Sequence, residues 1–233
     1  MRSNGRVRDA ARPVKIQRNY LRHAEGSALI EMGNTRVICS ATIERSIPKF
    51  LYGKGEGWVT AEYGMIPRST RQRIVREAIR GRVGRTYEIQ RLIGRSLRAA
   101  TQLGMLGEIT IIVDCDVIEA DGGTRSASIT GGCVALYDAL STLGLADHPM
   151  NFLVSGISVG VVNGSTLLDL DYEEDSSAQV DLNLVMSEGG TFIEIQGTAE
   201  RVPFSAEQLE EMIGLGKKGC MALVEAQREA LKL

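Results

Sequence analysis

The feature that most constrains this chain is an apolar, β-rich run, Ile109 to Val117, followed by the loop Asp121-Gly122-Gly123-Thr124-Arg125 and then by a helix-period pattern from Ser126 to Leu143. Ile129, Cys133, Leu136, Leu140 and Leu143 fall on one stripe of that helix, the spacing of a face that packs on another layer. The loop thus joins a buried strand to a helix. Asp-Gly-Gly is also an ordinary strand-to-helix turn. The same glycines would let backbone N–H groups approach an anion where the helix dipole is positive. Thr124 would add a hydroxyl and Arg125 a charge-assisted fork, so turn and phosphate cradle are compatible readings.

Upstream, Arg68 to Arg98 carries ten arginines, no lysine and two acids, Glu77 and Glu88. Arg71, Arg73, Arg76 and Arg80 could form a solvated helical face, the usual fate of a charge run. Solvation alone gives no reason to choose Arg over Lys throughout, whereas the planar Arg fork binds phosphate oxygens two at a time and cannot be titrated away. A polyanion is the natural partner. The formal net charge of −2 conceals an asymmetry: Lys and Arg outnumber Asp and Glu 21 to 8 through Leu103 and are outnumbered 6 to 21 beyond it. Such polarity suits a nucleic acid drawn to one face, or a basic half packed on the acidic half of a neighbouring subunit.

At 233 residues, 43% hydrophobic and 24% charged, the chain has the makeup of a globular protein able to bury a real core. No apolar run approaches the ~18 residues of a membrane span, and the basic N-terminus lacks the apolar core of a secretory signal, so a cytoplasmic protein without membrane association is expected. Cys39, Cys115, Cys133 and Cys220 show no C-x-x-C pairing and lie in apolar patterns, which predicts reduced core thiols. His23 and His148 stand in unrelated contexts, and neither a nucleophilic Cys/His pair nor a His-based metal site is indicated.

In chain order, Val14 to Arg18 reads as a short extended piece after Arg12-Pro13, and Ala28 to Met32 and Arg36 to Ile43 as a hairpin turning at Gly33-Asn34. Ser46 to Gly57 is a glycine-rich loop, Trp58 to Tyr63 a strand, and the pattern from Thr86 through Ile89, Leu92, Ile93, Leu97 and Ala100 a helix ending near Gly104. Later strands are predicted at Ser155 to Val162, Thr166 to Asp171, Ala178 to Met186 and Thr191 to Gln196, with turns at Asn163-Gly164 and Gly189-Gly190. Ser205-Ala206-Glu207-Gln208 is a capping-box start for a last amphipathic helix. Gly214 to Gly219 fits G-x-G-x-x-G literally but follows no strand, so its glycines are expected to serve helix packing instead of a dinucleotide. The two hairpins echo one another, each leading through strands to a helix, which suggests two related β-β-α halves.

Asp169, Asp171, Glu173, Glu174, Asp175 and Asp181 crowd one strand end and the start of the next. Most acids in such a cluster are solvated loop residues. Asp181 differs, because the alternation Val180-Asp181-Leu182-Asn183-Leu184 puts Asp181 and Asn183 on one face. Beside Asp175, such a carboxylate could hold a hard divalent cation or give a proton to a leaving alkoxide. Polyanion track, glycine loop and carboxylate pair, with no nucleophilic side chain, suit reaction at a phosphodiester attacked by water or inorganic phosphate.

The segments Gly57-Trp-Val-Thr-Ala-Glu-Tyr63, Gly84-Arg-Thr-Tyr-Glu-Ile-Gln-Arg-Leu-Ile-Gly-Arg95, Asp114-Cys-Asp-Val117, Ala120-Asp-Gly-Gly-Thr-Arg125 and Leu170-Asp-Tyr-Glu-Glu-Asp175 resemble the ribonuclease PH family, in order and along essentially the whole chain. The resemblance implies an α+β fold of the ribosomal protein S5 domain 2 type, with duplicated β-β-α halves, mixed sheets and packed helices, in a single domain spanning residues 1–233. It implies a phosphorolytic 3′-to-5′ exoribonuclease that trims transfer RNA precursors and other RNA 3′ ends, takes inorganic phosphate as co-substrate, releases nucleoside diphosphates reversibly and uses a divalent metal, Mg²⁺ by preference. Family members form homohexameric rings built as trimers of dimers. By the same resemblance Arg85, Gly123, Thr124 and Arg125 would bind phosphate, Asp175 and Asp181 would be the catalytic and metal-holding acids, and Arg68, Arg73 and Arg76 would guide RNA. The connector Leu143 to Asn151 is shorter than the family pattern, and Arg201 stands where a small residue is usual; neither belongs to the implied site.

Overall fold

The computed structural model describes residue 2, residues 5–76, residue 79, residues 84–200 and residues 202–233. Glu77, Arg80 and Arg201 therefore lie outside the described residues. The strands are β1 Val14–Arg18, β2 Gly26–Met32, β3 Thr35–Glu44, β4 Trp58–Met65, β5 Thr110–Glu119, β6 Val154–Val162, β7 Ser165–Leu168, β8 Val180–Ser187 and β9 Phe192–Ala199. The helices are α1 Gly84–Ala99, α2 Thr124–Ser141, α3 Tyr172–Ser177 and α4 Ala206–Leu231.

Gly33-Asn34 closes the β2-β3 hairpin, with Met32 opposite Thr35 and Gly33 at φ 59. Strand β3 alternates buried and more exposed residues, as a strand with one covered face must. β4 reaches β5 through α1, and this crossover makes β4 and β5 parallel, giving a mixed sheet of order β1-β2-β3-β5-β4. The second sheet, β7-β6-β8-β9, is antiparallel throughout. Its Asn163-Gly164 turn has φ 51 and 73, the left-handed pair that a two-residue hairpin needs. The architecture is α+β, with duplicated β-β-α halves.

Helix α2 departs from the expected single stripe. Nearly all of its residues are buried, because it lies between β2, β3 and β5 on one side and β6 on the other, and a helix covered on both sides has no polar face. Small residues allow that approach: a Cβ at Gly131 would meet Ile30 Cγ2 at 2.7 Å, and one at Gly26 would meet the Ala135 carbonyl oxygen at 2.0 Å. One continuous buried cluster consequently runs from the first sheet through α2 into the second, from Ile30 and Val113 through Leu136 to Ile157 and Leu184. All four cysteines are buried free thiols, and burial raises those of Cys133 and Cys220 to about 12, which keeps them protonated.

Gly214 to Gly219 lies inside α4, as expected. Gly216 and Gly219 pack closely on Leu184 and Leu168, whereas Gly214 faces open space and has no packing role. Two further expectations change. Strand β7 stops at Leu168, because Asp169 takes a left-handed φ of 54 and Asp171 caps the short helix α3. Residues 66–76 are not helical, so Arg71, Arg73 and Arg76 sit on an exposed loop; Ile74 N–H donates to the Pro67 carbonyl and Ala120 N–H to that of Ser69, which ties the loop to the end of β5. Among the described residues, no helix is long and apolar enough to cross a membrane.

Candidate active site

Two adjoining cavities open where the two halves meet. One of about 560 Å³ is lined among others by Arg71, Arg85, Gly123, Thr124, Ser158 and Tyr172; it shares Arg85, Arg125, Asp175, Asp181 and Asn183 with a second of about 870 Å³, which reaches Glu88 and Gln196. The shared basic residues, Arg85 and Arg125, come from the first turns of α1 and α2, and the shared acids, Asp175 and Asp181, from α3 and β8. Asp175 is present because Asp171 starts α3 with a capping box, its side chain accepting from Glu174 N–H at 3.0 Å while the Glu174 carboxylate accepts from Asp171 N–H at 3.1 Å.

The glycine loop is built for close approach. Gly122 and Gly123 have φ 76 and 67, and a Cβ would meet the Leu170 carbonyl at 2.6 Å in the first and Arg12 Nη2 at 2.8 Å in the second. Only glycine satisfies both demands. Gly123 is the N-cap of α2 and offers no side-chain cap, so the first-turn N–H groups lack an intrahelical acceptor and present the positive end of the helix dipole. Tyr63 Oη, buried, is 2.9 Å from Thr124 Oγ1 and orients that hydroxyl. Arg125 donates to Gln196 Oε1 at 3.2 Å, and Gln196 Nε2 donates to Glu88 Oε1 at 2.7 Å, so a relay from β9 to α1 steadies one side of the guanidinium. The Arg85 side chain forms no hydrogen bond among the described residues and is exposed at the start of α1.

The acidic cluster divides into structural and chemical members. Asp169 is buried against Arg12, Glu174 pairs with Arg2, Asp171 caps α3 and Glu173 meets Arg71 at 3.3 Å. Asp175 and Asp181 face the cavities. Burial pushes the Asp175 carboxyl above its ordinary value against the pull of Arg125 and Arg85. Burial and then the Asp175 charge push Asp181 up, opposed by Arg125 and by the Asn183 amide, which donates to both carboxylate oxygens at 3.2 Å. A half-buried carboxyl pair beside two arginines is an arrangement that acid–base sites use. No group of three or more His, Cys, Asp or Glu among the described residues forms a metal cage. Two carboxylates suit a cation of the Mg²⁺ type, which completes its shell with water and substrate oxygens.

Arg68, Arg73 and Arg76 are exposed on the 66–76 loop outside the cavity linings, with Arg68 Nη1 donating to the Arg71 carbonyl at 3.0 Å. Arg71, treated as one of the run, lines the cavity instead. Arg98 leaves the track: it lies 4.3 Å over the Trp58 ring and donates to the Val59 carbonyl at 2.8 Å. Sequence reasoning missed Arg12, Thr35, Tyr63, Ser158 and Gln196, whose partners lie far off in the chain. Asn183 alone carried a usable signal, its alternation with Asp181.

Fold and site together define an α+β protein of the RNase PH type, with the ends of two helices facing a carboxylate pair. Residues 10–141 match the model of domain 1 of the 3′ exoribonuclease family, and residues 153–219 match that of domain 2. The chain belongs to this 3′ exoribonuclease family, the family of RNase PH and the exosome core. Among solved structures it is similar to rice (Oryza sativa) Rrp46, with a TM-score of 0.80, 22% identity and coverage of 99% of this chain and 100% of that one. It is also similar to a chain of the Archaeoglobus fulgidus exosome with RNA bound to the active site, with a TM-score of 0.82, 21% identity and 96% and 91% coverage. A chain of an archaeal exosome core matches at a TM-score of 0.76 and 21% identity, covering 100% of this chain and 91% of that one.

Proposed function

We propose that the protein is a phosphorolytic 3′-to-5′ exoribonuclease acting on transfer RNA precursors and other RNA 3′ ends. The observation that carries this reading is the convergence of Arg85, Thr124 and Arg125 with Asp175 and Asp181 on one cavity. A hydrolytic nuclease would use the acids but leave two phosphate-sized arginine forks without purpose.

In this reading inorganic phosphate sits between the Arg85 and Arg125 guanidinium groups, the Thr124 hydroxyl and the backbone at Gly123. The two forks offset its charge, so that it can approach an anionic diester, a task of positioning and electrostatics. A phosphate oxygen attacks the terminal phosphodiester phosphorus, the bond to O3′ of the preceding nucleotide breaks, and a nucleoside diphosphate leaves. The departing 3′ oxygen takes a proton from one carboxyl of the Asp175–Asp181 pair, whose raised affinity for protons fits that work. A divalent cation such as Mg²⁺, held by Asp175 and Asp181, would neutralise charge on the scissile phosphate. The steps run backwards when nucleoside diphosphate is in excess.

Arg68, Arg73 and Arg76, exposed near the cavity mouth, serve as the RNA track in this reading. Residues 1–233 act as one RNase PH unit, supported by the buried cluster that joins the two halves, and the unit assembles as a homohexameric ring in the cytoplasm.

The test is to incubate the purified protein with 3′-extended RNA and Mg²⁺, with and without inorganic phosphate, and to identify the released nucleotide. Nucleoside diphosphate appearing only with phosphate is expected. Monophosphate released without phosphate would replace phosphorolysis by hydrolysis, and RNA binding without product would make the chain a silent ring subunit.

A further inference from the structure

We propose that Arg12, seated on Asp169, is a positioning residue that holds the phosphate-binding loop in register with the acidic half of the site. The proposal rests on the phosphorolytic reading above and deepens it.

Arg12 and Asp169 are nearly inaccessible, with side chains 5% and 1% exposed. Asp169 takes three bonds from one residue: Arg12 N–H at 2.7 Å, Nε at 2.9 Å and Nη2 at 2.6 Å. The other side of the guanidinium grips the loop, Nη1 donating to the Asp121 carbonyl at 2.5 Å and both terminal nitrogens reaching the Gly122 carbonyl at 3.4 Å. One planar group thus binds a carboxylate on one edge and backbone carbonyls on the other. Lysine, with a single ammonium, cannot span both.

The two ends of this strut lie in different halves of the molecule. Asp121 to Gly123 lead into α2 and the Thr124 and Arg125 side chains. Asp169, held at a left-handed φ of 54, is two residues before Asp171, which starts the helix carrying Asp175. Its N–H donates to the Ser158 carbonyl and its own carbonyl accepts from Arg2 at 2.9 Å, so the acidic end is anchored independently of the loop. Thr35 Oγ1 is the loop's second tie, donating to the Gly122 carbonyl at 2.6 Å and accepting from Asp121 N–H at 2.9 Å. Burial works against the charges of both partners, yet their mutual bonds leave Asp169 below and Arg12 above its ordinary value. The Gly123 Cα–H faces Arg12 where any Cβ would collide, so loop and guanidinium shape each other.

Arg12→Lys and Asp169→Asn test the assignment, with Arg18→Lys as the control. Arg18 forms an ion pair with Asp138 near the other end of α2, away from the cavities. Steady-state phosphorolysis is measured with phosphate and RNA varied separately, at a temperature where circular dichroism shows each variant folded. Loosening the loop by a fraction of an ångström raises KM for phosphate about tenfold in either Arg12 or Asp169 variant. KM for RNA stays at the wild-type value, and Arg18→Lys lowers Tm without moving KM for phosphate. A folded Arg12→Lys with unchanged KM for phosphate, or the same change in Arg18→Lys, overturns the proposal. Wild-type protein that releases no nucleoside diphosphate refutes phosphorolysis instead. Calorimetric titration of inorganic phosphate into wild type and Arg12→Lys then decides the strut alone: equal affinity, or no binding by either, rejects it, and about tenfold weaker binding by the variant upholds it.

Discussion

Asp181 illustrates at the residue scale how a site works against the fold that carries it. Its folded pKa lies above the unfolded one because burial and Asp175 disfavour the ionised form. The resulting cost sets in as pH rises through the ordinary 3.8 and is complete above the raised value. Asp181→Asn removes it, so Tm at pH 7 is expected to exceed that of wild type, with the gap closing below the ordinary value, while phosphorolysis falls about 100-fold or more. A thermal melt series against pH and one rate measurement check both halves of the statement; equal Tm at pH 7 would show that the carboxylate is not strained there. Arg125→Ala removes one fork from the proposed phosphate cradle. The phosphate-dependent rate should drop about 100-fold, while RNA binding, followed by fluorescence anisotropy, changes much less.

Among the elements, the glycines sort by what lies opposite them. Gly26 opens β2 directly against α2, and a Cβ there would strike the Ala135 carbonyl and the Ala139 nitrogen, both backbone atoms that no side-chain rotation can move. Gly26→Ala is expected to cost about 3 kcal/mol or more in denaturant unfolding. Gly214, in α4 with nothing within 4 Å, is the opposite case: Gly214→Ala should stabilise by roughly 0.5–1 kcal/mol through unfolded-state entropy and helix propensity. A result reversed at either position would contradict the packing described here. The arginine run divides the same way. Arg98 stacks on Trp58 and Arg95 pairs with Glu194 at 2.8 Å, so those two are tied to other elements, whereas Arg68, Arg73 and Arg76 stand on an exposed loop.

For the molecule as a whole, the charge asymmetry predicts a salt-sensitive grip on RNA. Each arginine that neutralises a phosphate of a single strand contributes about 0.7 to the slope of log affinity against log salt. Replacing Arg68, Arg73 and Arg76 together by Ala should therefore lower that slope by about 2 and weaken binding at low salt, with little change in Tm. An unchanged slope would remove the 66–76 loop from the RNA track.

Local signals were enough to recover most elements. The Gly33-Asn34 and Asn163-Gly164 turns, the alternation that pairs Asp181 with Asn183, and the capping box at Ser205 each depend on residues only a few positions apart, and their physics survives in any context. The glycine loop was legible for the same reason, whereas Arg85 entered only through the family resemblance of its motif; the structure brings Arg85, Thr124, Arg125, Asp175 and Asp181 to one cavity, and their roles belong to the proposal above. Tertiary structure alone decided the rest. Helix α2 looked one-sided because periodicity cannot register a second sheet arriving from β6. The end of β7 at Leu168 goes with Asp169 being drawn to Arg12, 157 residues away, whereas the start of α3 rests on the local Asp171–Glu174 capping box. Tyr63 on Thr124 and Gln196 between Arg125 and Glu88 are likewise contacts between distant elements. Hydrogen-bond partners so far apart in the chain leave no pattern in it, and they meet only once burial of the common core has brought the two halves together.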